Sequence, residues 1–449
     1  MIVQVLKIIS RGFFPLLIFL FYFCLSVNSQ NLEGNWWFFG VGAGLHFTNG
    51  FPEADTSAPL ASLITTASIS DSDGNLLFYT NGVNVFDSSH NVTPNPALPF
   101  MSPAGRILIA ANPGNRSRYY VFCASGNPFS LYVFEVDMSL NSGLGAVVPN
   151  SLSVMADSIN RGIACLDHHD GRSKWLVVNN SFQGEYYSFL ISSTGIDSTA
   201  IVSRIGYSNS QASSLAIISS PNSERLLTFH GPFGYRAEFF QFNKLTGEVH
   251  NNYFNRLLNN QTVRSASFSP NSNVAYLGIQ QNLFQYDISS FDSNIILSSE
   301  VLIDSFPGYQ TPFYNDMQIG VDGKIYCNFI KATPNTKLSV INCPNQLGLS
   351  CNYQDTIVNL KGRITGNHLP TLNQTLFVNA NILQAQSQSG DICDGDTAQL
   401  IAYGAGADRF IWTMEDGSPA NTLIDDTLAN PKAWPDSTTT YRVIGMSSS

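Results

Sequence analysis

Asp167-His168-His169-Asp170 is the only cluster of histidine and carboxylate neighbours in the 449-residue sequence. A neutral imidazole beside a carboxylate can hold a divalent metal or exchange protons near neutral pH. Adjacent residues on a strand point to opposite faces, however, so the cluster reads as a polar surface turn. Asp71-Ser72-Asp73-Gly74-Asn75 has the oxygen density of a calcium loop. It lacks the bidentate Glu that closes an EF-hand loop at its twelfth position, and Asp and Asn are at home in tight turns without any ion. Gly40, Gly42 and Gly44 follow a strand-like run as a phosphate-cradling loop would. Leu45 stands where the dinucleotide fingerprint needs its third glycine, so a strand-connecting turn is expected. No His-Glu-x-x-His and no Gly-x-Ser-x-Gly occurs. No catalytic, cofactor-binding or metal-ligating residue is assigned, and calcium is the one cofactor left open.

The composition narrows the partners. Lys and Arg total 22 against 32 Asp and Glu, a formal charge of −10. Nucleic-acid binding rests on cationic groups that displace counterions from phosphates, so no nucleic-acid partner is expected. Charged residues make up 12% of the chain and aromatic residues also 12%. That is about half the charge of an average soluble protein, too apolar for a disordered one.

Lys7 and Arg11 precede an uncharged run from Phe13 to Val27, and Val27-Asn28-Ser29 leads to Gln30. A membrane-spanning helix needs about 20 apolar residues, and this run is shorter and ends in polar sequence. Residues 1–29 therefore read as a signal peptide cleaved between Ser29 and Gln30, with no stable membrane span elsewhere. Cleavage leaves six cysteines, Cys123, Cys165, Cys327, Cys343, Cys351 and Cys393. Six are too few to build a disulfide scaffold in a chain of this length. Cys343 and Cys351 flank a Pro- and Gly-containing loop and are the pair best placed for a bridge.

The elements that carry these residues recur. A turn of Asp, Asn, Gly or Ser is followed by an aromatic and β-branched strand and then a third strand of the same kind. Turns centre on Asp73, Asn115, Asp170, Asn222, Asn271 and Asp322, spaced 42, 55, 52, 49 and 51 residues. Third strands follow at Leu131 to Val136, Tyr186 to Leu190, Phe239 to Phe242, Leu283 to Tyr286 and Leu338 to Ile341. Fourth strands are expected at Thr199 to Ile205, Ile295 to Ile303 and Thr356 to Leu360. Four short antiparallel strands per repeat is the arithmetic of a propeller blade. Residues 30–377 thus read as a seven-bladed β-propeller. Its last blade is composite, joining Trp36 to Phe47 with Leu369 to Phe377, so that no sheet edge stays open.

Residues 378–390 read as a linker or edge strand, and the text then changes character. Thr397 to Ala402, Phe410-Ile411-Trp412 and Thr440 to Ile444 are three strands. A central Trp and a late Tyr suit an Ig-like β-sandwich over 391–449. Such a sandwich needs about seven strands, and the chain stops just after Tyr441, so this domain is expected to be partial. The overall class is all-β, a propeller followed by a partial sandwich.

Asn35-Trp36-Trp37-Phe38-Phe39-Gly40, Gly42-Ala43-Gly44-Leu45-His46-Phe47 and Asp73-Gly74-Asn75-Leu76-Leu77-Phe78-Tyr79 resemble the opening of secreted β-propeller proteins of the Bacteroidota. Val136 to Gly145 and Val340 to Asn345 look like further signatures of that family. Asn367-His368-Leu369-Pro370-Thr371 replaces the more usual Gly-Leu-Pro-Asn. Cys393 to Val443 is similar to the PKD-like or Ig-like modules that follow such propellers. The resemblance implies export by the type IX route and a link to gliding-motility-associated proteins. It implies no reaction.

The reading that unites these observations is a secreted or cell-surface adhesion protein. Its rigid propeller would present a ligand face to an extracellular protein or glycan, as a monomer and without catalysis. Two alternatives stand beside it: a propeller hydrolase or lyase acting on extracellular polysaccharide through carboxylates converging from different blades, and a structural spacer in a larger surface protein.

Overall fold

The computed structural model describes residues 2–8, 32–48, 51–63, 65–94, 105–125, 129–208, 214–230, 235–257, 261–306, 313–330, 335–377, 384–387, 392, 396–403, 409–428 and 430–446. They fall into two compact units, residues 31–378 and a smaller one combining 1–30 with 379–449.

The larger unit is a seven-bladed propeller. Blade 1 holds Trp36–Val41, Ala43–Thr48, Phe51–Asp55 and Ala61–Ser62, and blade 2 holds Ala67–Ser70, Leu76–Thr80 and Val85–Asp87. Blades 3 to 7 begin at Ile107–Asn112, Ile163–Asp167, Ser214–Ser219, Val263–Phe268 and Phe313–Ile319, each the innermost strand of an antiparallel sheet of four or five. Those innermost strands touch in succession around the ring, and Tyr353–Asn359 of blade 7 returns to Phe51–Asp55 of blade 1. The alternation expected of strands explains the packing. In Val274–Ile279 and Arg225–His230 every residue is buried, because both faces of a middle strand meet neighbouring blades. Large aromatics fill the wedges: Trp37, Tyr79, Tyr186, Tyr276, Tyr286 and Tyr326 are almost wholly inaccessible.

The expected composite blade is corrected: blade 1 is built wholly from strands between Trp36 and Ser62, and the tail contributes no strand to it. The tryptophan-rich start does meet the tail. Trp37 packs edge-on against Tyr326 of blade 7, centroids 5.4 Å apart, and Val41 forms an isolated antiparallel bridge to Ile364, its N–H donating to the Ile364 carbonyl at 2.9 Å. Leu369 to Phe377 is not a strand, contrary to expectation. Asn367 N–H donates to Leu63 O and Thr371 N–H to Thr66 O. The tail then lines the channel and ends in a 3-10 turn, Gln374–Phe377. Gly40 makes this possible: it sits at φ +58°, and a Cβ there would lie 1.9 Å from the Ile364 carbonyl oxygen. The strand expected over Ile295 to Ile303 is also corrected. Asp292 accepts from the backbone N–H groups of Asn294 and Ile295 and caps a short helix, Ser293–Ser298, before the strand Val301–Ser305.

The smaller unit contains two three-stranded sheets. One pairs Ile2–Ile8 and Arg409–Met414 with opposite edges of Thr439–Met446; the other joins Gln384–Ser387, Ala398–Tyr403 and Lys432–Ala433. Trp412 and Tyr441 lie at 0% exposure among Leu400, Ala433 and Val443. The Trp412 indole donates to Leu428 O at 2.9 Å. Ile2–Ile8, within the segment read as a signal peptide, pairs antiparallel with Thr439–Met446. Gln384–Ser387 likewise makes a strand of part of the expected linker.

Candidate functional site at the channel mouth

The innermost strands run side by side, so the residues that open them converge on one end of the channel. Arg106 immediately precedes the innermost strand of blade 3. Asp316 lies in that of blade 7, beside a bulge between Tyr314 and Asp316 that turns its side chain inward. The Arg106 guanidinium grips Asp316 with both terminal nitrogens, Nη1 donating to Oδ2 at 2.9 Å and Nη2 to Oδ1 at 3.2 Å. The tail adds the Leu369 N–H, which donates to Oδ2 at 3.1 Å, and His368 Nδ1, 3.3 Å from the same oxygen. The Met317 N–H donates to Oδ1 at 3.1 Å.

Burial would raise the Asp316 carboxyl, but Arg106 and His368 beside it outweigh that penalty and bring it down to about 2. Desolvation, helped by repulsion from Arg106, lowers His368, so its ring is neutral at neutral pH. A carboxylate this acidic and this fully hydrogen-bonded is a poor proton acceptor. It ties blade 3, blade 7 and the tail together. The cavity beneath, about 30 Å³ and lined by Arg106, Asp316, Gln318, Ser219, Ser267 and Gln374, has room for water but not for a substrate.

Around this centre the turns between second and third strands, and the connection after blade 4, present aromatic and charged groups. Phe129 and Phe182 meet edge to face, centroids 5.8 Å apart. The Arg236 guanidinium lies 3.6 Å above the Tyr207 ring, which itself stands edge-on to His230. His230 Nε2 is 2.9 Å from Glu238 Oε2, and Asn252 Nδ2 donates to Oε1 at 3.0 Å. Both members of that pair are inaccessible. Arg161 carries its carbonyl to the Arg106 N–H at 3.3 Å.

The groups singled out in the sequence lie elsewhere. His168, His169 and Asp170 form the hairpin turn between the first two strands of blade 4. The Asp170 carboxylate accepts from the N–H groups of Arg172 and Ser173, both at 2.8 Å, and Lys174 pairs with Asp167. Asp71 Oδ1 accepts from the N–H groups of Asp73 and Asn75 at 3.0 and 2.8 Å, so the calcium-like loop uses its oxygens on its own backbone. Among the described residues no group of three His, Cys, Asp or Glu side chains could hold a metal ion. Only Gly42 lies in the expected strand-connecting turn, at positive φ; Gly40, also at positive φ, belongs to Trp36–Val41 and Gly44 to Ala43–Thr48. Cys343 and Cys351 are brought together, with the Cys343 N–H donating to Cys351 O at 2.9 Å. The two are unbridged in this structure, and Cys351 is almost fully buried in the core shared by blades 1 and 7. Ser29 and Gln30 lie outside the described residues.

Arg106, Asp316 and His368 carried no signal of their own in the sequence. His368 stood out only as a departure from a family pattern, and residues 210 positions apart cannot be paired by spacing.

No family model matches the chain, and no curated protein matches it. Solved structures are similar in fold. The β-propeller domain of Myceliophteria thermophila Cps50 (Swd1) covers 66% of this chain and 92% of its own at 10% identity and a TM-score of 0.38. Kluyveromyces lactis Hsv2 covers 69% and 90% at 9% identity and a TM-score of 0.40. A chain of the mitotic checkpoint complex covers 66% and 84% at 15% identity and a TM-score of 0.41.

Proposed function

We propose that the chain is an exported binding protein that uses the channel-mouth face to engage an extracellular protein or glycan. One observation carries this reading. Turns joined to the sheets hold Phe129, Phe182, Tyr207 and Arg236 at one end of the wheel, while the Asp316 carboxylate at its centre is occupied by Arg106 and the tail. Aromatic and arginine side chains on a preorganised scaffold are the groups that dominate binding energy at interfaces. Export, adhesion at the cell surface, a monomeric state and an Ig-like or PKD-like second module belong to the same proposal. They are supported by the N-terminal sequence, the family resemblance and the paired sheets around Trp412 and Tyr441. Among the described residues no helix is long and apolar enough to cross a membrane.

The test is a panel of extracellular glycans and proteins presented to the full chain with and without chelator, then to a Phe129→Ala, Phe182→Ala, Arg236→Ala variant. Saturable binding weakened about tenfold or more by the triple substitution is the expected result. Binding that the variant leaves unchanged would move the ligand away from this face. No binding under any condition would favour the spacer. N-terminal sequencing of chain recovered outside the expressing cell should begin at Gln30.

A further inference from the structure

A second, larger opening lies on the rim of the wheel, away from the mouth. The outer strand Ser153–Asp157 of blade 3 and the hairpin at Gly195–Ile196 of blade 4 enclose a cleft of about 480 Å³ lined by Tyr120, Glu135, Ser153, Met155, Thr194 and Ile196, among others. We propose that this cleft is a binding site for a short neutral saccharide.

Its size falls in the range of small-molecule sites, about 300–1,000 Å³, and its walls are preformed. Gly114 of blade 3 packs against the hairpin so closely that a Cβ there would lie 2.2 Å from Ser193 O. Any side chain at position 114 would therefore push the two blades apart. Gly195 leaves the opposite wall open, since a Cβ at that position would have the Tyr120 hydroxyl, 3.9 Å away, as its only near neighbour.

The lining points to a polyol. Ser153, Thr194 and Ser198 share the lining with the apolar side chains of Met155, Val133 and Ile196, while the Ser151 hydroxyl is already engaged, donating to Val148 O at 2.7 Å and accepting from the Glu135 N–H at 3.1 Å. That mixture matches a pyranose, which carries hydroxyls around its edge and an apolar C–H face. The one carboxylate does not call for a cation, because Glu135 Oε2 already takes a charge-assisted bond from Arg118 Nη1 at 3.2 Å. Arg118 in turn binds Asp137 through Nε at 2.9 Å. Glu135 remains able to accept from a sugar hydroxyl, a charge-assisted bond of the stronger kind. Burial, with Glu135 nearby, pushes the Tyr120 phenol up, so it stays a neutral hydroxyl.

Titration of the full chain with cellobiose, maltose, lactose and chitobiose, followed by ligand-observed NMR, tests this. At least one disaccharide should saturate. Ser153→Trp, at an exposed position on the edge strand, should abolish that binding by filling the cleft. Glu135→Gln, which keeps the shape, should weaken it about tenfold. The triple mouth variant should leave it unchanged, so failure of the mouth reading and failure of this one are separable. Three outcomes overturn the proposal: no saturation by any of the four sugars, binding indifferent to both cleft substitutions, or capture only of an extended peptide. The last would mean strand addition along Ser153–Asp157 instead.

Discussion

The two ends of the propeller differ in the reach of the polar bonds at their centres. At the hairpin end each turn carries short-range bonds of its own, beside ties to the next blade such as the Asp167 N–H to Ser223 Oγ at 2.8 Å and the Asn222 N–H to Ser272 Oγ at 3.1 Å. Asp71 serves Asp73 and Asn75, Asp170 serves Arg172 and Ser173, Ser220 accepts from the Arg225 N–H, and Ser269 accepts from the Val274 N–H. Every one of these bonds within a turn spans five residues or fewer. The bonds that hold Asp316 and Asn328 at the mouth are long-range: Arg106 to Asp316, Leu369 to Asp316, and Asn328 to the Gly366 and Asn367 carbonyls. The hairpin end thus combines local turns with ties between adjacent blades, while the bonds to Asp316 exist only when the ring closes. Removing a mouth contact should cost the whole wheel; removing a turn contact should cost one hairpin.

The largest effect expected is at Gly40. Gly40→Val forces a β-branched side chain into left-handed backbone and into the Ile364 carbonyl, so the chain should fail to give a cooperative unfolding transition. A normal transition would mean that the tail does not need this passage. Asp316→Ala comes next. It strands the Arg106 guanidinium in a buried site, a change of about 3–5 kcal/mol, read as a lowered urea midpoint at pH 7. A loss no larger than that of a surface substitution would erase the distinction between the ends.

The pH dependence sharpens the same contrast. The folded Asp316 carboxyl is held at about 2, below its unfolded value, so its contribution is complete above about pH 4 and fades as the pH falls toward 2. It amounts to roughly 2–3 kcal/mol. His368 is also depressed, so neutral imidazole is the form favoured by folding and acidification below its unfolded value works in the same direction. Asp316→Asn should flatten the loss of stability between pH 4 and 2, whereas an unaltered slope would place the acid-sensitive group elsewhere. The smallest effect is at the hairpin end. Asp71→Ala removes two bonds to exposed backbone and should cost about 1 kcal/mol, visible as faster amide exchange at Asp73 and Asn75 with little change in the global midpoint.

The turns were readable because their cause is local. Asp73, Asp170, Asn222, Asn271 and Asp322 mark hairpins for reasons contained in a few neighbouring residues, and the strands they join alternate or run apolar for reasons of burial. The helix at Ser293–Ser298 escaped notice because Ile295, Ile296 and Leu297 form a short apolar run that suits a strand equally well, and the Asp292 cap decided between them. The path of Leu369 to Phe377 escaped for a different reason. An apolar tail is equally consistent with a strand at the edge and a plug in the channel, and only the space left by seven assembled blades selects the second.

Residue types at a near-fifty-residue spacing determined, by themselves, that this chain is a wheel of antiparallel sheets followed by a smaller β module, since repeat length and strand alternation are properties of the chain read in order. Tertiary structure alone decided that Asp316 would meet Arg106 and the tail, and that a hydroxyl-lined cleft would open between two rim strands. Those groups come from segments whose distance apart depends on ring closure, and proximity through space leaves no trace in spacing along the chain.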